Sequence, residues 1–306
     1  MIKLFILLAF VIVFCSENTK VFTVDNVTFK MIKVPRGTFN MGAQNSNPYG
    51  ANYDTDIMFD DETPVHSVTL TNDYYIGETE VTVDLFRKFI DATNYKTDAE
   101  TGYGNSVGGY VCVPNGDSVM WVWKSDANWK NSYHEQADNT PVVLISKNDA
   151  IAFCLWLSGK TGATFRLPTE AEWEFAARGS TSSKGYKYSG SNNVDDVAWH
   201  YYNSGNKPHP VAAKQANELG IYDMSGNVHE WCSDWYGDYS ASAQVNPTGA
   251  ETGNLTTKRG GNWGYGIVRC RVTDRSVDRQ NMRWDYIGLR LVMVPNSSTK
   301  GCDVCK

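Results

Sequence analysis

The sequence has no basic stretch able to track a phosphate backbone, and its net charge of −6 excludes nucleic-acid binding as a class. No second Cys-x-x-Cys accompanies Cys302-Asp303-Val304-Cys305, so the tail is not a zinc site and reads as a redox pair or as disorder. No histidine follows His229-Glu230 at the zinc-protease spacing, and His66, His134, His200 and His209 are scattered. No serine or cysteine motif pairs a nucleophile with a base, and there is no phosphate-binding glycine loop. No internal repeat, low-complexity run or linker divides the chain, which favours one large irregular domain.

What is abundant is aromatic. Ten Trp and 17 Tyr stand beside 26 Gly, which implies many turns, large rings in the core, and rings left over for a surface. The chain opens with Lys3 and an apolar run from Leu4 to Phe14. That run is too short to span a bilayer but suits a signal-peptide core. Cys15 and the polar Ser16-Glu17-Asn18 follow, as in a bacterial lipoprotein signal. The expectation is an exported protein with a signal peptide over 1–15 whose Cys15 becomes the lipidated N-terminus, tethered by 16–27 and displayed at the outer surface. A plain secretory signal cut nearby is the alternative. Six further cysteines permit disulfides in an exported protein, although Cys154 in "AIAFCLWL" reads as a small buried hydrophobe.

Three helices are legible. Thr82 caps "VDLFRKFIDATN", with Leu85, Phe86, Phe89 and Ile90 on one face. Ser146 caps a second helix, which Gly159 is expected to stop. Thr169 and Glu172 form a capping box opening a third, ended by Gly179. Strand-like segments read at "VTFKMIKVPRGTFNMG" and "HSVTLTNDYYIGETEV", separated by a long loop rich in Asn, Gly, Asp and Pro. Residues 97–140 show no strong period and read as an aromatic-rich insertion. The acidic run Asp60-Asp61-Glu62 reads as solvated loop.

"FRLPTEAEWEFAARG", "NELGIYDMSGNVHEWCSDWY" and "RGGNW…GLRLV" occur in this order with "MIKVPRGTFNMG" and "YYIGETEVTVDLFRKF" before them. Together they resemble the formylglycine-generating enzyme (sulfatase-modifying factor) family over about residues 28–295. The resemblance implies an α+β C-type-lectin fold with a small twisted antiparallel sheet, helices and much irregular backbone. Function must still be argued from the site. In that family two thiolates hold Cu(I) in a W-x-C-x4-C pattern after RGGSW, because soft sulfur suits a soft ion. Here the second position is Cys270, the first is Tyr265, and Asn262 replaces the serine. One thiolate cannot make a two-sulfur site, so no copper and no enzymatic activity are expected. An oxygen-dependent cysteine oxidase with an altered site is the competing reading, and an inactive structural relative is another.

The stretch 259–291 separates into framework and replaceable positions. The framework is Arg259 to Trp263, Cys270 to Thr273, Arg275, Arg283 and Ile287 to Val292. Between these lie Gly264, Tyr265, Gly266, Val268, Arg269, Asp274, Ser276, Val277, Asp278, Arg279, Asn281, Met282, Trp284, Asp285 and Tyr286. This arrangement is similar to the C-terminal variable region of diversity-generating-retroelement proteins. It implies a ligand-binding face at 264–286 whose side chains point outward, recognising an extracellular ligand, expected to be a protein. Tyr and Trp bring contact area at low entropy cost, Arg and Asp orient, and Gly and Ser adapt. An ordinary packed or solvated loop is the bland reading.

"YDMSGNVHEW" resembles the family's calcium turn. The resemblance assigns a structural calcium to the side chains of Asp223 and Glu230 and the carbonyls of Gly226 and Val228, oxygen donors of the kind that ion takes. A turn whose carboxylates meet backbone N–H groups is the alternative.

Overall fold

In the computed structural model, described residues are 14–15, 18–43, 60–104, 106–115 and 118–295. The apolar leader, most of the Asn/Asp/Pro loop and the tail with Cys302 and Cys305 lie outside them.

In chain order come β1 (Phe14–Cys15), β2 (Thr19–Val24), β3 (Val27–Val34), β4 (Gly37–Met41), β5 (His66–Leu70) and β6 (Tyr74–Gly77). Then α1 (Val83–Thr93), α2 (Asp98–Thr101), β7 (Gly109–Asn115), β8 (Ser118–Lys124) and α3 (Lys147–Thr161) follow. β9 (Thr164–Arg166), α4 (Glu170–Ala177), α5 (Val194–Val197), β10 (His229–Trp235) and β11 (Gln244–Val245) lead to the last four strands. These are β12 (Thr256–Arg259), β13 (Arg275–Asp278), β14 (Ile287–Gly288) and β15 (Val292–Val294).

The helix caps are where local sequence puts them. The Thr82 side chain accepts from the Leu85 amide, and Ser146 with Asp149 and Thr169 with Glu172 form reciprocal capping boxes. Gly159 does not stop α3. The helix runs to Thr161 and ends at Gly162, whose φ of 74° satisfies a left-handed C-cap. A mid-helix glycine costs only about 1 kcal/mol, and burial of Phe153, Cys154 and Leu157 along the helix outweighs it.

A six-stranded sheet in the order β1-β2-β3-β6-β15-β9 divides two cores. Because a strand alternates faces, Met31, Tyr75 and Met293 enter one core while Ile32, Ile76 and Val292 enter the other. The first core takes α1 and α3 through Phe86, Phe89 and Phe153; the second takes α4 through Trp173 and Phe175. Residues 19–24, read from sequence as tether, are a full strand of this sheet paired with β3.

The insertion at 97–140 is also structured. β7 and β8 form an antiparallel hairpin with Gly109 opposite Lys124 and Asn115 opposite Ser118. The acidic run corrects in the same direction: Glu62 is buried and its carboxylate holds the Arg271 guanidinium at 2.5 and 2.7 Å. A carboxylate that meets such a partner is retained inside rather than solvated.

A second sheet, β13-β12-β10-β14, carries the C-terminal segment. β12 runs antiparallel to both β10 and β13, and β14 joins β10 in parallel. Cys112, Cys154, Cys232 and Cys270 are all buried free thiols. Among the described residues no helix is long and apolar enough to cross a membrane.

Candidate functional site

Five arginines bolt the segment 259–291 to the body. Arg259 is fully buried, donates to Glu174 and to the carbonyls of Thr273 and Asp274, and lies over the Trp173 ring. Arg271 is held by Glu62, and Arg275 meets Glu170 through two parallel bonds of 2.7 and 2.9 Å. Among the described residues Arg283 donates only to backbone carbonyls, those of Gly108, Tyr103, Asn281 and Ser106. Arg290 grips Glu230 and the carbonyls of Gly77 and Tyr222. The fork of five donors makes arginine suited to such multi-partner anchoring. Every position read as framework is buried.

The replaceable positions divide. Tyr265, Gly266, Arg269, Ser276, Val277, Asp278, Asn281, Met282 and Trp284 are half-buried, and Arg279 is exposed. Gly264, Val268, Asp274, Asp285 and Tyr286 are buried, so the expectation that all side chains point outward is corrected at these five. Each has a physical reason. A Cβ on Gly264 would stand 2.8 Å from the Trp121 ring, whereas one on Gly266 would meet nothing within 4 Å. Val268 packs inside a 3₁₀ turn. Asp274 receives Arg269 and Arg271, and burial pushes its carboxyl up to about 7 against their pull.

Asp285 is the hub that joins the hairpin to the segment. Its carboxylate accepts from the Cys112 amide at 2.5 Å and from Trp121 Nε1 at 3.2 Å, and His134 Nε2 lies 2.9 Å away. Burial raises its pKa, while these contacts hold it down. Tyr110 bridges to the same stretch: its amide donates to the Arg283 carbonyl and its carbonyl accepts from Asp285. Sequence reasoning did not find Trp121, Trp123, Tyr110 or His134. The alternating "YVCV" and "VMWVW" around Asn115-Gly116-Asp117 is the hairpin signal that carried Tyr110, Trp121 and Trp123.

At the position of the family's thiolate pair the chemistry is different. The Tyr265 and Tyr286 hydroxyls are 3.3 Å apart, and both rings lie 5.9 Å from the His229 ring. Asn262 Oδ1 accepts the Gly264 amide, which turns Nδ2 toward His229 Nδ1 at 2.7 Å. Nδ1 is therefore the acceptor, the proton sits on Nε2, and burial keeps the ring neutral. Cys270 is fully buried beside Tyr188, Val197 and Ala198, and burial drives its thiol far above the usual range. A thiol held protonated is a poor metal ligand and nucleophile.

The calcium turn does not fit as a set. Glu230 is filled: Arg290 donates to both oxygens and Trp173 Nε1 donates to Oε2 at 2.6 Å. It is the counterion of Arg290. Asp223 accepts from the Ala212 amide through Oδ2, and its buried Oδ1 has no partner. The orphaned neighbour is Glu80, both of whose buried oxygens lack partners. Burial and the mutual repulsion of the two carboxyls raise Glu80 well above the usual range, and burial raises Asp223 to about 6. Gly226 stays necessary, since with φ at 78° a Cβ would strike the Trp199 carbonyl at 2.3 Å. Among the described residues no group of three His, Cys, Asp or Glu side chains is placed to hold a metal ion.

Residues 18–294 match the sulfatase-modifying factor enzyme 1-like domain. The chain is 34% identical to a formylglycine-generating enzyme of Streptomyces coelicolor, covering 85% of this chain and 87% of that one. It is 30% identical to the inactive C-alpha-formylglycine-generating enzyme 2 of Bos taurus, over 86% and 87%. Among solved structures it resembles Treponema denticola variable protein 1, with a TM-score of 0.68 and 27% identity over 92% of this chain and 100% of that one. PvdO from Pseudomonas aeruginosa superposes with a TM-score of 0.66 and 26% identity, over 92% and 100%. The fold is thus the α+β, C-type-lectin kind with small curled antiparallel sheets, in a family that holds both enzymes and inactive relatives. This chain belongs to the sulfatase-modifying factor enzyme 1-like family.

Proposed function

We propose that the protein is a non-catalytic receptor, exported and lipid-anchored through Cys15, whose segment 264–286 presents a diversified ligand-binding face. One observation carries the reading: within one continuous stretch, every framework position is buried and anchored, while ten interspersed positions reach the surface. A catalytic pocket needs each of its side chains fixed, whereas a recognition face needs a rigid support under exchangeable ones. The likeness to Treponema denticola variable protein 1 supports the same reading. The face is Tyr265, Gly266, Arg269, Ser276 to Arg279, Asn281, Met282 and Trp284, with the β7–β8 hairpin as its constant wall. A cation at the 223–230 turn, where bound, takes Asp223 and Glu80 rather than Glu230.

The test is a library in which those ten positions are randomised together, compared with one randomising ten framework positions of the same segment. Survival of the folded state in most members of the first library and few of the second supports the reading. Equal losses in both would sink it. The competing oxidase reading predicts copper-dependent, oxygen-consuming turnover of a cysteine peptide, for which we expect none.

A further inference from the structure

We infer that β13 and the cavities meeting at Arg279 form a docking track for an extended peptide bearing a carboxylate side chain, which adds as a strand and places its acid on Arg279. The inference rests on the reading of 264–286 as a binding face and names its partner chemistry.

Three observations converge. β13 is a terminal strand of its sheet. Among the described residues, no hydrogen bond joins the backbone of Ser276, Val277 or Asp278 to any element but β12. Such an edge leaves one row of N–H and C=O groups open to a further strand. A proline or a bulge would protect it, and "RSVD" has neither.

Arg279, at the end of that strand, is exposed, and its guanidinium makes no ion pair or hydrogen bond among the described residues. Arg259, Arg271, Arg275, Arg283 and Arg290 are all tied down. Adjacent Asp278 offers Arg279 no side-chain partner, because its carboxylate is 3.1 Å from Lys258 Nζ. The face therefore presents one unspent positive charge, complementary to an acid.

Two cavities meet at it. One of about 550 Å³ is walled by Tyr110, Trp123, Val277 and Met282; the other, about 720 Å³, by Tyr103 and Trp235; Arg279 lines both. An extended peptide sends alternate side chains to one face, roughly 7 Å apart. Aromatic-walled cavities that meet at a free guanidinium therefore suit a peptide with apolar residues around an acidic one. The open backbone row favours a peptide over a carboxylated sugar, because its regular alternation of donors and acceptors matches a second peptide backbone.

The test uses the full chain and a fluorescent acetyl-Thr-Val-Thr-Glu-Thr-Val-Thr amide, which puts Val, Glu and Val on one face of the strand, read by anisotropy. Saturable binding is expected. It should weaken at least tenfold with glutamine in place of glutamate, with N-methylation of alternate residues, and with R279E, whose thermal melting should match the parent. Absence of saturable binding overturns the inference, as does binding indifferent to N-methylation or to R279E. Binding of a polyuronate oligosaccharide in place of the peptide, lost in R279E, also overturns it while leaving the binding-face reading intact. That reading fails separately, through the randomised libraries.

Discussion

Tyr110 lies flat on Trp284, ring centroids 4.2 Å apart and planes 17° from parallel. Through this pair a hairpin some 170 residues distant in sequence becomes the support for the exchangeable segment. Trp123 closes the stack edge-on against Tyr110, and Trp284 in turn stacks on Tyr286. We expect the Y110A/W284A double-mutant cycle, measured by urea unfolding, to show a coupling of about 0.5–1.5 kcal/mol. Strict additivity would mean that this stack does not couple the hairpin to the segment.

Framework and face should respond differently to the same substitution. R290A strands the buried Glu230 carboxylate and should cost about 3–5 kcal/mol. R279A removes an exposed side chain and should stay within about 0.5 kcal/mol. Chemical denaturation of both variants gives the comparison.

The two glycines flanking Tyr265 make a sharper contrast. G266S should leave the melting temperature essentially unchanged, since a side chain there enters open space. G264S should lower it by several degrees, because the new Cβ forces the Trp121 ring aside and loosens its bond to Asp285.

Through its buried acids, stability should fall as pH rises from about 4 to about 7. Asp274 titrates near 7 in the folded protein and near 3.8 when exposed, with burial as the cause. A raised acid pKa means that the folded state holds a proton the unfolded state has released. Its contribution is complete below about pH 4 and is lost as pH climbs through 7. Asp234 adds to the same slope, being raised to about 7 by burial and by Glu170. Melting temperatures measured from about pH 4 to about pH 7 should decline, and D274N should flatten the decline.

Legibility followed sequence distance. The Thr82, Ser146 and Thr169 caps were readable because both partners lie within three residues. The buried framework of 259–291 was readable because RGGNW and GLRLV carry the family resemblance. What was missed depends on pairings across the chain. Glu62 looks like loop until Arg271, 209 positions later, is placed against it. Glu230 looks like a calcium ligand until Arg290 takes its oxygens. Asp285 and Tyr286 look exchangeable until Cys112, Trp121 and His134 close over them. Residues 19–24 look like tether because their alternation is short, and only pairing with β3 reveals the strand.

Sequencing this gene across many isolates of its source tests the central claim most directly. The account predicts substitutions concentrated at Tyr265, Gly266, Arg269, Ser276 to Arg279, Asn281, Met282 and Trp284, with the five arginines and the buried positions between them unchanged. Differences spread evenly along the chain, or falling on Arg259, Arg283 and Arg290 as often as on Arg279, would contradict it.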